Sequence, residues 1–118
     1  MGIASTRGRA GEALAAAYLE LSGCDVLARN HRLAGVEVDV LALDGRCRVV
    51  VEVKLRSRVD YGGAALAVDG SKRARLLRAA EALARDGSGP VRVDVLAITL
   101  DADGATIRHY RNALTHDA

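Results

Sequence analysis

The stretch from Val36 to Arg56 constrains the fold most, because two alternating runs meet there at a turn. Val36, Val38, Val40 and Ala42 share one side of an extended chain, and Glu37, Asp39, Leu41 and Leu43 share the other. Asp44-Gly45 is a strong two-residue hairpin signal. On the return strand, Arg46 to Arg56, Cys47, Val49, Val51, Val53 and Leu55 form one face. Arg48, Val50, Glu52 and Lys54 form the opposite one. With Asp44-Gly45 as the turn, Leu41 meets Arg48, Asp39 meets Val50 and Glu37 meets Glu52. Paired residues lie on one face, so Glu37, Asp39, Glu52 and Lys54 are gathered together. Opposed carboxylates destabilise a sheet unless a cation sits between them. Lys54 supplies part of that charge, and a divalent metal would supply the rest.

The remaining pattern places elements around this hairpin. A helix is expected from about Gly8 to Leu21, stopped by Gly23. Glu12 heads its Ala16-side stripe, either as a first-turn charge favoured by the helix dipole or as a group aimed at a site. A short strand from Asp25 to Arg29 and a turn from Asn30 to Gly35 precede the hairpin. After it come a small-residue loop from Ser57 to Gly70 and a second helix from about Ser71 to Arg85. On that helix Lys72 heads a stripe of Leu76, Ala79, Ala80 and Leu83. Strands are expected at Val91–Leu100 and Ala105–Tyr110, with loose ends at 1–7 and 111–118. The order predicts a single α/β domain, a mixed sheet of about five strands flanked by two main helices.

Composition limits the function. With 118 residues there is room for one core. Aromatics are 3%, three Tyr with no Phe or Trp, which disfavours an aromatic base-stacking platform. The net charge of +2 does not select a nucleic-acid partner by itself. Cys24 and Cys47 lack zinc-ligand spacing. No apolar run reaches membrane-spanning length, and the chain reads as cytoplasmic. His31, His109 and His116 read as surface residues, and the role of Asp94, set in an apolar strand, is open.

The chemistry-bearing pattern is Asp39, then Glu52-Val53-Lys54. Phosphodiester hydrolysis needs hydroxide near neutral pH and neutralisation of phosphate charge, which a metal provides. Magnesium takes hard oxygen ligands, often one or two carboxylates with waters and substrate oxygens. Asp39, Glu52 and the carbonyl of Val53 are the candidate ligands. Lys54, two residues along on the same face, would orient the attacking water or steady developing charge. By spacing alone, a solvated hairpin face explains Glu52 and Lys54 equally well. Candidate phosphate contacts are Arg56, Arg58, Lys72 and Arg75.

These residues, taken with Gly11-Glu12, Leu14-Ala15, Tyr18-Leu19, Arg29-Asn30, Glu37-Val38-Asp39, Val51 to Ser57, Tyr61-Gly62, Lys72 and Val93-Asp94-Val95, carry a resemblance. From about Gly8 to Ile98 the chain resembles the YraN-like family of small bacterial proteins. That family is regarded as PD-(D/E)XK nuclease-like and akin to archaeal Holliday-junction resolvases. The resemblance implies a restriction-endonuclease-like core and a Mg2+- or Mn2+-dependent endonuclease cutting DNA, branched or structured. It implies metal-ligand roles for Asp39 and Glu52, a catalytic lysine at Lys54 and an auxiliary acid at Glu12. Val36 stands where the family has Gly, and Leu55 where it has Thr. The alternative is a nucleic-acid-binding adaptor with a nuclease-like core, inactive alone or dependent on a partner protein. A homodimer or a partner would enlarge the surface a chain this small offers to a duplex.

Overall fold

Seven elements are seen in the computed structural model, which describes residues 3–57 and 70–114. They are α1 (Ile3–Leu21), β1 (Asp25–Leu33), β2 (Val36–Asp44), β3 (Cys47–Ser57), α2 (Gly70–Ala84), β4 (Val91–Asp101) and β5 (Gly104–Tyr110). The strands form one sheet in sequence order, antiparallel throughout except for the parallel pair β3–β4. A parallel pair needs a crossover, and α2 lies within it. The α/β class, with five strands and two helices, is the one the sequence predicts.

Helices on opposite faces give two cores. Ala15 and Leu19 of α1 pack with Val40, Ala42, Val49, Val51, Leu96 and Ile98. Leu76 and Ala79 of α2 pack with Val36, Val38, Leu41, Val50 and Val93. Strands buried on both faces have near-continuous apolar runs, as in Val49-Val50-Val51. Val36 and Val38 therefore belong to the α2 side, whereas Val40 and Ala42 belong to the α1 side. The expected single-face alternation of these four residues breaks at Asp39.

Turn chemistry corrects the hairpin register. Asp44 pairs with Cys47, so the turn residues are Gly45-Arg46. Gly45 has φ 61 and Arg46 is not left-handed, the pattern of a turn that takes glycine at its first central position. Asp44 is left in the strand, where its carboxylate accepts from Arg92 Nη2 at 2.9 Å. The two-residue shift keeps each side chain on its face but brings Leu41 opposite Val50. Glu37 is exposed and does not oppose Glu52 across this ladder, whose last pair is Val40 with Val51.

β1 is longer than the sequence suggests. It runs through Asn30-His31-Arg32 to Leu33, with Asn30 at φ 51. Polar residues here mark an edge strand facing solvent, not a turn. The actual turn is Ala34-Gly35, with φ of 52 and 76. Left-handed backbone costs an alanine roughly 1–2 kcal/mol, whereas asparagine tolerates it. Ala34→Asn is accordingly expected to raise stability by about 0.5–1 kcal/mol, read as a higher urea midpoint with unchanged slope.

Three further expectations are corrected. Residues 111–114 are not a loose end: Ala113 N donates to Val93 O at 2.7 Å, and Leu114 is buried in the α2-side core, while 115–118 lie outside the described residues. His109 is not a surface residue. Its Nε2 lies 2.7 Å from Asp94 Oδ2 and its Nδ1 lies 3.0 Å from the Tyr18 hydroxyl. At the other end, helix α1 begins at Ile3 rather than Gly8.

Candidate functional site

α2 is tied to β3 at both ends, and this builds the site. At its C-terminal end, Arg48 donates from Nη1 and Nη2 to the two oxygens of Asp86, both at 2.8 Å, and from Nη2 to Leu83 O. At its N-terminal end, Lys72 Nζ lies 2.7 Å from Glu52 Oε2. Between them Leu76 and Ala79 are fully buried, fixing the helix over Val50 and Val93. Burial opposes the charge of Lys72, but the bond to Glu52 and its negative charge outweigh that and raise the pKa.

Asp39 lies just beyond the last ladder pair. Its Oδ2 accepts from the Val53 amide at 2.8 Å, so the carboxylate serves as acceptor for a backbone N–H of β3. Burial, then the charge of Glu52, and also a side-chain hydrogen bond with Glu52 push the Asp39 carboxyl up to about 7, against the opposing effects of the Val53 amide and Lys72. Glu52 is only 2% exposed, and its Oε1 is buried with no hydrogen-bond partner among the described residues. Two carboxyl groups, Glu52 buried and Asp39 half-buried, thus adjoin and share one ammonium.

That orphaned oxygen fits a divalent cation. Hard carboxylate oxygens are the donors magnesium and manganese take. Asp39 and Glu52 are the pair in position to hold one. The described residues contain no group of three or more His, Cys, Asp or Glu side chains able to hold a metal, so further ligands would come from water, substrate or backbone, as magnesium prefers.

The other expected site residues fall in several places. Lys54 is half-buried on the Glu52 face and has no ion-pair partner among the described residues. Glu12 sits on α1, whose apolar residues pack on the opposite side of the sheet, and its Oε1 is buried without a hydrogen-bond partner among the described residues. The preceding Gly11 packs on Leu55, which places the start of α1 near the end of β3. Arg56 donates from Nη1 to Leu55 O. Arg75 is exposed and lines a cleft of about 260 Å³ with Lys72 and Asp39. Arg58 and Tyr61-Gly62-Gly63 lie outside the described residues.

Lys72 was legible as the head of a buried stripe, a position that must approach the sheet; its contact with Glu52 was not. Arg32, on the far wall of the cleft, was hidden because Asn30 to Gly35 reads as a turn.

A mixed sheet with helices on both faces, interrupted beside a buried and a half-buried carboxyl group and a lysine, defines a small α/β protein with a built polar site. Residues 11–98 match the model of an uncharacterised protein family, UPF0102, and the chain belongs to that family. A UPF0102 protein of Halorhodospira halophila is 42% identical over 112 residues, covering 95% of this chain and 89% of the relative. One from a Parafrankia species is 38% identical over 117 residues, covering 96% and 99%. One from Pelotomaculum thermopropionicum is 40% identical over 111 residues, covering 90% and 92%. No helix among the described residues is long and apolar enough to cross a membrane.

Proposed function

We propose that the chain is a divalent-metal-dependent endonuclease hydrolysing phosphodiester bonds in DNA, branched or otherwise structured. The observation that carries this reading is the buried Glu52 carboxylate, with one oxygen on Lys72 and the other facing only the Asp39 carboxyl among the described residues. Two adjoining carboxyl groups that hold each other back from ionising are a cost that a purely structural hairpin has no use for.

Mg2+ or Mn2+, when bound, supplies hydroxide near neutral pH and neutralises phosphate charge. Asp39 and Glu52 would hold it, and the Val53 carbonyl would be available as a third oxygen. The Val53 amide fixes the Asp39 carboxylate in place. Lys72 fixes Glu52. Lys54 orients the attacking water or steadies charge that develops on the phosphate. The auxiliary-acid role that the resemblance gives Glu12 is not assigned to this site, because α1 packs on the face of the sheet opposite Glu52.

The second reading is a nucleic-acid-binding adaptor that needs a partner protein. It is favoured by the small size of the chain, 118 residues, which leaves little surface for a duplex. Incubation of the purified protein with branched, duplex and single-stranded DNA separates the two readings. Cleavage with Mg2+ or Mn2+ is expected, falling by about 10²-fold or more in Asp39→Ala and in Lys54→Ala. Salt-dependent DNA binding without cleavage, unchanged by Asp39→Ala, would establish the adaptor.

A further inference from the structure

The cleft beside Asp39 has two walls from distant parts of the chain. One is the β1–β2 hairpin, contributing Arg32, Gly35, Val36 and Glu37. The other is the first turns of α2, contributing Lys72, Arg75 and Leu76. Three cationic side chains therefore face a space of about 260 Å³ that also touches Asp39. That volume is below the roughly 300–1,000 Å³ of ordinary small-molecule pockets. It suits one phosphodiester unit of a longer strand.

Two of the three cations, Arg32 and Lys72, are held by hydrogen bonds, and the third is placed by its helix. Arg32 Nη1 donates to Gly35 O at 3.2 Å, across a tight turn whose two residues are both left-handed. Arg75 follows Lys72 by three positions, so it lies on the same side of α2. Lys72 is anchored by Glu52. The acids on the walls are Glu37, which pairs with Arg32 across β1–β2, and Asp39. With Lys72 committed to Glu52, the guanidinium groups of Arg32 and Arg75 are left as the planar forks that match phosphate oxygens.

We infer that Arg32 and Arg75 form a clamp for a backbone phosphate of a nucleic-acid strand, one wall from the β1–β2 hairpin and one from α2. The inference rests on the nuclease reading and adds to it: the strand crosses the cleft so that a neighbouring phosphodiester lies at Asp39 and Glu52. Recognition is through the backbone and carries no base preference.

The test uses fluorescence anisotropy of a mixed-sequence single-stranded oligonucleotide in EDTA, titrated at several salt concentrations. Wild type is compared with the double variant Arg32→Ala/Arg75→Ala and with Arg78→Ala, an exposed arginine of α2 outside the cleft lining. The double variant is expected to bind about 10-fold or more weakly. Its salt slope should fall by roughly 1.4, about 0.7 for each lost phosphate contact. Arg78→Ala should match wild type. Equal binding by the double variant overturns the clamp, whether or not the protein cleaves DNA. Equal losses in the double variant and in Arg78→Ala overturn it too, since they would reflect a diffuse surface field. A wild type that binds no oligonucleotide also sinks it. Conversely, the expected binding losses in a protein that neither cleaves DNA nor binds Mn2+ would keep the clamp and remove the nuclease.

Discussion

Asp39→Asn is expected to make the protein more stable in EDTA at pH 8, by on the order of 2–4 kcal/mol, while abolishing Mn2+ binding and cleavage. The stabilisation follows from linkage. Asp39 is held at about 7, above the ordinary carboxylate value of 3.8, by burial and then by the Glu52 charge. The native state therefore retains a proton that the unfolded chain releases above pH 4. Stability falls as pH rises from about 4 through 7, because ionising Asp39 places a second charge beside Glu52. Asparagine removes that charge. Its amide oxygen still accepts from the Val53 N–H, and its NH2 group donates towards the unpartnered Glu52 oxygen. The measurement is urea denaturation from pH 4 to 8 in EDTA. Wild type should lose stability across that range, and Asp39→Asn should lose little. A substitution that stabilises the fold while removing function is expected where a site stores unfavourable electrostatics.

Asp94→Ala is expected to cost about 3–5 kcal/mol, enough to unfold much of a domain this size at 37 °C. Asp94 is fully buried and serves three partners. Arg92 donates from Nε and Nη2 at 2.9 and 3.1 Å, and the Asn112 amide donates at 2.9 Å. His109 Nε2 completes the set at 2.7 Å. Burial works against the Asp94 charge, but these bonds outweigh it and hold the carboxyl below its ordinary value. Its contribution is therefore present above the unfolded pKa and lost as pH falls below it, the opposite direction to Asp39. Truncation leaves His109 and the Asn112 amide without their acceptor and Arg92 with only Asp44. The effect is read from the shift in urea midpoint, and Asp94→Asn, which keeps acceptor capacity, should lose less.

The gathered face of Glu52 and Asp39 was legible because strand parity survives a register error of two. Gly45 takes the first turn position that only glycine fills without strain, so Asp44 joins the strand. No alternation rule reports that choice. The break at Asp39 was not legible, since Val36 to Ala42 reads as one unbroken alternation while the chain divides it between two cores. Long-range pairing hid the rest. Asp94 and His109 are 15 positions apart, and Lys72 and Glu52 meet only because α2 is tied down by Arg48 and Asp86. Arg32 was obscured by an edge strand whose polar face resembles a turn.

The account stands most directly on where a metal ion binds. A crystal of the protein soaked in manganese should show an anomalous peak at about 2.1 Å from a carboxylate oxygen of both Asp39 and Glu52. Well-ordered Asp39 and Glu52 side chains with no peak between them, or a peak only elsewhere on the surface, would contradict it.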